Sequence, residues 1–223
     1  MTTSLDVRRL VLLLLVCAAV PAAALAASNP HAEKRHHTRA DMALARRSLL
    51  RQSDVGPDWA RLSIPSNPNA TLDCPGYDPD FSRFTITGES QVAYTYQSLD
   101  QILSSSEVFP SRAQAIADFE LGARPEFAGC LRRVLVRSLG ASATGVSIRS
   151  ASARKVHAPK VGERAAAYRL SAVVSAHGVR IHIYLDLLAI QRGRTQAALV
   201  FTGIDSPVPS QLSYARAVAA SMR

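Results

Sequence analysis

The stretch that decides the fold is residues 168–202, which read YRLSAVVSAHGVRIHIYLDLLAIQRGRTQAALVFT. It holds three apolar runs rich in β-branched and aromatic residues, separated by short segments that contain Gly178 and Gly193. Such runs joined by short turns predict antiparallel strands connected by hairpins. The sequence therefore predicts a three-strand meander, with strands at 168–175, 179–190 and 195–202.

The turns also predict how these strands pair. A two-residue turn at His177 and Gly178 makes one face of the first hairpin continuously apolar. A three-residue turn at 192–194 extends that apolar face into the second hairpin. The expected neighbours are Val174 with Ile181, Ala172 with Ile183 and Leu170 with Leu185, and then Phe201 with Leu185 and Leu199 with Leu187.

Polar side chains gather on the other face of the predicted meander. Two interpretations stay open: an ordinary solvent-exposed face with a cross-strand ion pair, or the floor of a ligand groove. In the groove, His182 and Tyr184 stack or form hydrogen bonds, while Arg169 and Arg180 hold an anionic group. The candidate ligand-binding residues are thus Arg169, Arg180, His182 and Tyr184, with Asp186 opposite Arg169, Ser171 opposite Tyr184, Val173 opposite His182, and Thr202 and Val200 expected on the same face.

The rest of the chain predicts helices around this sheet. Helical spacing of apolar residues and capping signals at Thr38, Ser111 and Ser210 favour about four helices. We expect an α+β fold in which an antiparallel or mixed β-sheet with a C-terminal three-strand meander is packed by these helices. The predicted organisation is a flexible basic tail at 27–38 and one α+β domain at 39–223, with a further strand at about 146–157.

The N-terminus predicts export. Arg8 and Arg9 precede the apolar run 10–16, and Ala24-Leu25-Ala26 has the small-x-small form of a cleavage site, so residues 1–26 form a predicted signal peptide. A lipid anchor on Cys17 is the alternative, but Val16 stands where a small residue is needed. Because a membrane span needs roughly 20 consecutive apolar residues, no stable transmembrane anchor is expected. The predicted location is extracellular or associated with the cell envelope.

Two cysteines follow the signal peptide, Cys74 in a turn-rich loop and Cys130 on the apolar face of a predicted helix. An exported protein can keep disulfides, so we expect these two to be joined. Metal binding is disfavoured, because neither cysteine has a neighbouring histidine and the three histidines at 31, 36 and 37 lie in the predicted tail. No metal and no cofactor is expected.

Composition and charge fit a globular, basic protein. Of 223 residues, 48% are hydrophobic and 19% charged, and the formal net charge is +9, which excludes a wholly disordered chain. Almost all the positively charged residues are arginines. We attribute this bias to the overall composition of the chain and not to selection for binding nucleic acids. A basic solvated surface is one interpretation, and attraction to anionic envelope polymers or lipid head groups is the other.

Motifs for catalysis are missing from the sequence. There is no His-Glu-x-x-His, no Gly-x-Ser-x-Gly and no glycine-rich phosphate loop. Asp78 and Asp80 can be interpreted as a pair of catalytic carboxylates. The flanking Pro75, Gly76 and Pro79 are typical of turns, however, and favour a role as turn residues. We therefore expect a protein that is not an enzyme.

The layout of the chain resembles the PknH-like group of extracellular sensor domains from actinobacteria. The resemblance covers about 40–223 and rests on the exported start, Gly56-Pro57-Asp58-Trp59, one cysteine near 74 and a second near 130, and the late meander with Arg192-Gly193-Arg194. It implies a mixed sheet packed by helices, a cleft for an unidentified ligand and usually two disulfides. This chain can form only one disulfide and has no kinase domain, which separates it from a signalling receptor.

Three function classes follow. The first is a sensor-like, non-catalytic ligand-binding protein of the envelope, whose ligand is an amphipathic anion or lipid. The second is a structural or protein-interaction protein of the envelope, and the third is a secreted enzyme. A deep cleft lined by His182 and Tyr184 favours the first class, and a flat surface favours the second. The expected cover of such a cleft is the loop 65–80.

Overall fold

The computed structural model describes residues 30–64, 77–97, 99–141, 146–176 and 178–223. The predicted signal peptide, with the alternative lipid site at Cys17, lies outside the described residues. So do Cys74 and His177, and most of the loop that was expected to cover the groove. Of the two cysteines in the predicted disulfide, the described residues include Cys130, which is fully buried and disulfide-bonded.

The centre of the molecule is a seven-stranded sheet in which every neighbouring pair is antiparallel. The strand order is β2-β4-β5-β9-β8-β7-β6, and the last four strands along the chain form a meander at one side. These strands are β2 (Trp59–Leu62), β4 (Gly88–Tyr96), β5 (Asp100–Val108), β6 (Val146–Val156), β7 (Arg164–Ala176), β8 (Val179–Arg192) and β9 (Thr195–Ile204). The predicted α+β fold class with a C-terminal meander is confirmed.

Helices pack on both faces of this sheet. The Thr38 hydroxyl caps α1 by accepting from the Asp41 backbone N–H at 3.1 Å, and Ser111 caps α3 in the same way. Ser210 stands before α5 as predicted, but its side chain makes no capping hydrogen bond. The helices of nine or more described residues are α1 (Arg39–Arg47), α3 (Arg112–Gly122), α4 (Glu126–Ala141) and α5 (Gln211–Ser221), and α2 (Gln52–Val55) is a single turn.

The sheet therefore has two faces, which we name by the helix that covers each. On the α4 face, α3 and α4 pack against the even-numbered side chains of β7 and the odd-numbered side chains of β8. On the α5 face, α5 packs against Leu188 and Leu199, with 0% exposure at Leu199 and Val218. Burial on both sides explains why 187–190 of β8 and 197–201 of β9 are continuously apolar.

The first hairpin of the meander has the predicted register, with Val174 opposite Ile181 and Leu170 opposite Leu185. The second does not. Arg192 pairs with Thr195, so the turn has two residues and not three, and Gly193 takes the positive φ of 58° that such a turn needs. This shift by one residue places Leu199 opposite Leu188 and Phe201 opposite Asp186, so that both apolar side chains point to α5.

The described part of the predicted tail is paired with the domain. Lys34 donates its backbone N–H to Phe84 at 3.0 Å, and His36 donates to Ile86 at 2.9 Å. These bonds build a two-stranded parallel sheet from β1 (Lys34–Arg35) and β3 (Thr85–Ile86). Sequence periodicity could not indicate a strand of two residues, because no alternation can be read over so short a run.

One pair of strands, β5 and β9, joins the two halves of the large sheet, which are β2-β4-β5 and β9-β8-β7-β6. The pairs on either side of it connect strands that follow one another along the chain, apart from the short β3. In this ladder, however, β5 pairs with β9, so Gln101 faces Thr202 and Val108 faces Thr195. The helices α3 and α4 and three strands separate these partners along the chain.

Candidate functional site

A polar, open surface lies on the α5 face at the end of the sheet that α5 leaves uncovered. It is formed by β6, β7 and β8, and its side chains are exposed or half-buried. The pairing of these strands places the side chains on one side of the sheet. We call it the serine–arginine face, and it consists of Ser150, Ser152, Arg154, Arg169, Ser171, Arg180, His182 and Tyr184.

The predicted cross-strand pair of Arg169 and Asp186 is present. The guanidinium Nε donates to Asp186 Oδ1 at 2.6 Å and Nη2 donates to Oδ2 at 2.9 Å, and the Gln211 amide donates to the same Oδ2 at 2.8 Å. Hydrogen bonding to this carboxylate raises the pKa of Arg169. Asp186 is buried while 42% of the Arg169 side chain is exposed, so donors of the guanidinium stay open to solvent.

A second arginine stands directly opposite the first. Arg154 on β6 pairs with Arg169 on β7, and like charges in directly opposed positions repel. Asp186 compensates Arg169, and Arg154 makes no ion pair with any described residue. Asp186 stands on β8, on the side of Arg169 away from Arg154, so among the described residues only Arg169 of this pair has a carboxylate beside it.

Arg180 lies at the other end of the surface. It pairs with Ser175, six residues along β8 from Asp186, which is about 20 Å at the usual rise of a strand. One small anion cannot contact Arg169 and Arg180 together. An extended ligand with several negative groups can reach both ends.

Hydroxyl and ring groups fill the distance between the two ends. Ser152 and Ser171 are cross-strand partners whose hydroxyl oxygens lie 2.9 Å apart, and the half-buried Tyr184 stands opposite Ser171. His182 is exposed, and its backbone N–H donates to Asp205 Oδ1 at 3.2 Å. The surface thus offers hydroxyl and imidazole groups in the middle and guanidinium groups at both ends.

Two residues that were expected on this surface lie on the opposite side of the sheet. Thr202 pairs with Leu185 and Val200 with Leu187, so both point to the α4 face. The expectation was wrong because the second hairpin is shifted by one residue, which exchanges the faces of all β9 side chains.

A small open cleft adjoins the Arg169 end of the serine–arginine face. Its volume is about 190 Å³, below the roughly 300–1,000 Å³ of ordinary small-molecule pockets. Arg180, His182 and Tyr184 do not line this cleft. It is therefore not the deep cleft that the sequence predicts around those three side chains. The lining residues are Val156, His157, Pro159, Ala167, Tyr168, Arg169, Asp186, Leu187, Leu188, Gln211 and Leu212.

Sequence reasoning missed Arg154 and Ser152. Their position depends on the pairing of β6 with β7, whose register shifts between Ile148 and Ser150. The alternation of small and polar residues from Ser150 to Arg154 was a usable signal, since an edge strand with one open face shows this pattern.

A second polar cluster lies on the α4 face, beneath α3. Glu107 pairs with Gln196, whose amide donates to Asp118 Oδ2 at 2.8 Å, while Asp118 Oδ1 is buried with no hydrogen-bond partner among the described residues. Burial raises the pKa of Glu107 to about 8, helped by the carboxylates of Glu33, Asp118 and Glu89 and opposed by Arg35. Burial also raises the pKa of Asp118 to about 7. Within the described ranges, no cluster of three or more His, Cys, Asp or Glu residues could hold a metal ion.

Comparisons with known proteins report a structural similarity and show no family. No family model matches the sequence, and no curated protein matches it. The structure is similar to the crystal structure of the extracellular domain of PknH from Mycobacterium tuberculosis, with a TM-score of 0.46 and 9% sequence identity. The match covers 83% of this chain and 96% of that chain. This is the group that the layout of the sequence resembles. Among the described helices, none has the length and apolar character to cross a membrane.

Proposed function

We propose that this chain is an exported, non-catalytic binding protein of the cell envelope, and that it binds an extended anionic polymer through the serine–arginine face. The observation that carries the proposal is the pair Arg154 and Arg169, which stand directly opposite each other on β6 and β7, while Asp186 on β8 bonds Arg169 alone. A negative group placed between them relieves their repulsion and gains charge-assisted hydrogen bonds.

The spacing along the strands favours a polymer over a small ligand. Arg180 is about 20 Å from the row that contains Arg169, and a ligand that uses both must carry negative groups at a comparable separation. The intervening hydroxyl groups and the Tyr184 ring suit a hydroxyl-rich backbone such as a chain of acidic sugars. Beside the serine–arginine face, a small amphipathic anion, which the sequence favours, finds a cleft of only about 190 Å³.

Other features support the location and the lack of catalysis. The N-terminal segment has the charge, apolar run and small residues of a signal peptide. Cys130 is disulfide-bonded, which fits an oxidising compartment, and we propose Cys74 as its partner. The donors on the serine–arginine face are arranged to hold a negative group, with no nucleophile held beside a general base.

Binding of oligogalacturonates of defined length tests this proposal. We expect the octamer to bind and the dimer to bind at least tenfold more weakly, because the dimer cannot reach both ends of the surface. Arg154→Gln and Arg180→Gln should each weaken octamer binding about three- to tenfold, which corresponds to the loss of one exposed charged contact. Isothermal titration calorimetry at fixed salt measures both effects.

The matched control is Arg47→Gln, an exposed arginine on α1 away from the surface. It should leave octamer binding unchanged. Equal octamer affinity in the wild type and in the double variant Arg154→Gln, Arg180→Gln, with the fold intact by circular dichroism, contradicts the proposal. Binding to phosphatidylglycerol vesicles without binding of the octamer contradicts the polymer class and assigns the surface to a membrane.

A further inference from the structure

The strand β6 is the last strand at one side of the seven-stranded sheet. Its inner edge pairs with β7, and in the described structure its outer edge pairs with no strand. In an antiparallel sheet, every second residue of such an edge strand points its backbone N–H and C=O outward. The outer edge of β6 therefore offers a row of hydrogen-bonding groups to another chain.

The regular part of this edge is seven residues long. The register of β6 against β7 is shifted between Ile148 and Ser150 and then runs without interruption from Ser150 to Val156. Irregular edges resist strand pairing, so the part before Ser150 is a poor template. The run 150–156 is as long as an average strand and can accept one.

Charge is concentrated at the same side of the molecule. The segment 124–157, which contains α4 and β6, holds seven basic residues and one acidic residue, so it carries +6 of the net charge of +9. Arg132 and Arg149 are exposed and make no ion pair with any described residue. The basic residues are Arg124, Arg132, Arg133, Arg137, Arg149, Arg154 and Lys155, and the acidic residue is Glu126.

The helix above the edge adds an apolar contact. α4 packs on β6, and its Val136 side chain is 36% exposed. Arg132 lies one turn before Val136, so the two share one side of the helix. A strand added beside β6 would lie next to α4, where apolar and basic side chains are both available.

The positive charge of the segment 124–157 determines which kind of chain can pair with this edge. A second copy of the chain would bring two segments of +6 together, and this repulsion disfavours self-association through β6. An acidic segment meets opposite charge on both β6 and α4, which speeds encounter and favours that partner over others. We propose that the outer edge of β6 at 150–156 accepts an extended acidic segment of another protein as an eighth strand.

A peptide of alternating Glu and Val or Thr residues, nine residues long, tests this inference. We expect slower hydrogen exchange at the outward-pointing amides of 150–156 when the peptide is present, since these amides become bonded. A peptide with Gln in place of every Glu should bind at least tenfold more weakly. The double variant Arg132→Gln, Arg149→Gln should weaken binding of the Glu peptide about three- to tenfold.

The outcomes separate this inference from the proposed polymer site. Arg132 and Arg149 are outside the serine–arginine face, so their double variant should keep octamer binding while it loses peptide affinity. Absence of added protection at 150–156 at millimolar peptide overturns the inference, and so does equal binding of the Glu and Gln peptides. Protection that grows with protein concentration alone assigns the edge to a second copy and also overturns it.

Discussion

Gly88 shows how closely one helix approaches the sheet. A Cβ atom built on Gly88 would fall inside contact distance of the Asp41 backbone carbonyl and within 2.7 Å of the Met42 backbone nitrogen. Because backbone atoms of α1 cannot move aside without shifting the helix, Gly88→Ala should lower the free energy of unfolding by about 2–3 kcal/mol. Urea denaturation measures this loss.

The matched control is Gly140→Ala near the end of α4. Nothing lies within 4 Å of a Cβ built there, and alanine is the better helix former by up to about 1 kcal/mol. This variant should be as stable as the wild type or more stable. Equal effects of the two substitutions would show that α1 does not touch β4 as described.

At the scale of elements, the helix α5 covers the α5 face of β8 and β9 and forms a hydrophobic core with their side chains. Val218 is fully buried among Leu199, Phe201 and other side chains of that core. Val218→Ala should therefore lower the free energy of unfolding by about 1–3 kcal/mol, from lost burial and a residual cavity. Val136→Ala in α4 removes the same two methyl groups from a side chain that is 36% exposed, and should change stability by less than about 0.5 kcal/mol. Similar losses for both would contradict the two-sided burial of the meander.

The predictions from sequence succeeded where one face of a strand pair is apolar and the other polar. The first hairpin is such a pair, and its register and the ion pair of Arg169 with Asp186 were predicted correctly. The second hairpin failed because a search for one apolar stripe assumes that only one face is buried. In 197–201 both faces of the strand pack, so alternation gave no information on the register. Arg154 was missed because its place depends on an irregularity in the pairing of β6.

At the scale of the whole molecule, the carboxyl groups of the half-buried Glu107 and the buried Asp118 predict how stability depends on pH. Their pKa values in the folded protein, about 8 and about 7, lie above the values of an unfolded chain, so folding favours their protonated forms. This contribution is full below the unfolded pKa, near 4, and is lost as the pH rises toward 8. We expect the free energy of unfolding to fall by several kcal/mol between pH 5 and pH 8.

The test is urea denaturation of the wild type and of Glu107→Gln, Asp118→Asn across this pH range. The double variant should lose most of the dependence on pH, because its amides keep the shape and the hydrogen bond of Gln196 without a charge. On the acid side, hydrogen bonding from Arg194 lowers the pKa of Asp41, so stability should also fall when the pH drops below the unfolded pKa of about 4. The same slope between pH 5 and 8 in both proteins would disprove the role of the buried pair.

The single ladder between β5 and β9 has a consequence for how the chain reaches its native state. Each half of the sheet can form from strands that are close in sequence, but the halves join only when residues near 101 meet residues near 202. Long-range pairing of this kind slows folding to milliseconds or seconds. Under the export proposed above, a chain that emerges N-terminus first would hold β5 with an unpaired edge until almost its last residues emerge. In that interval, the unpaired edge of β5 is open to pairing with a strand of a neighbouring chain.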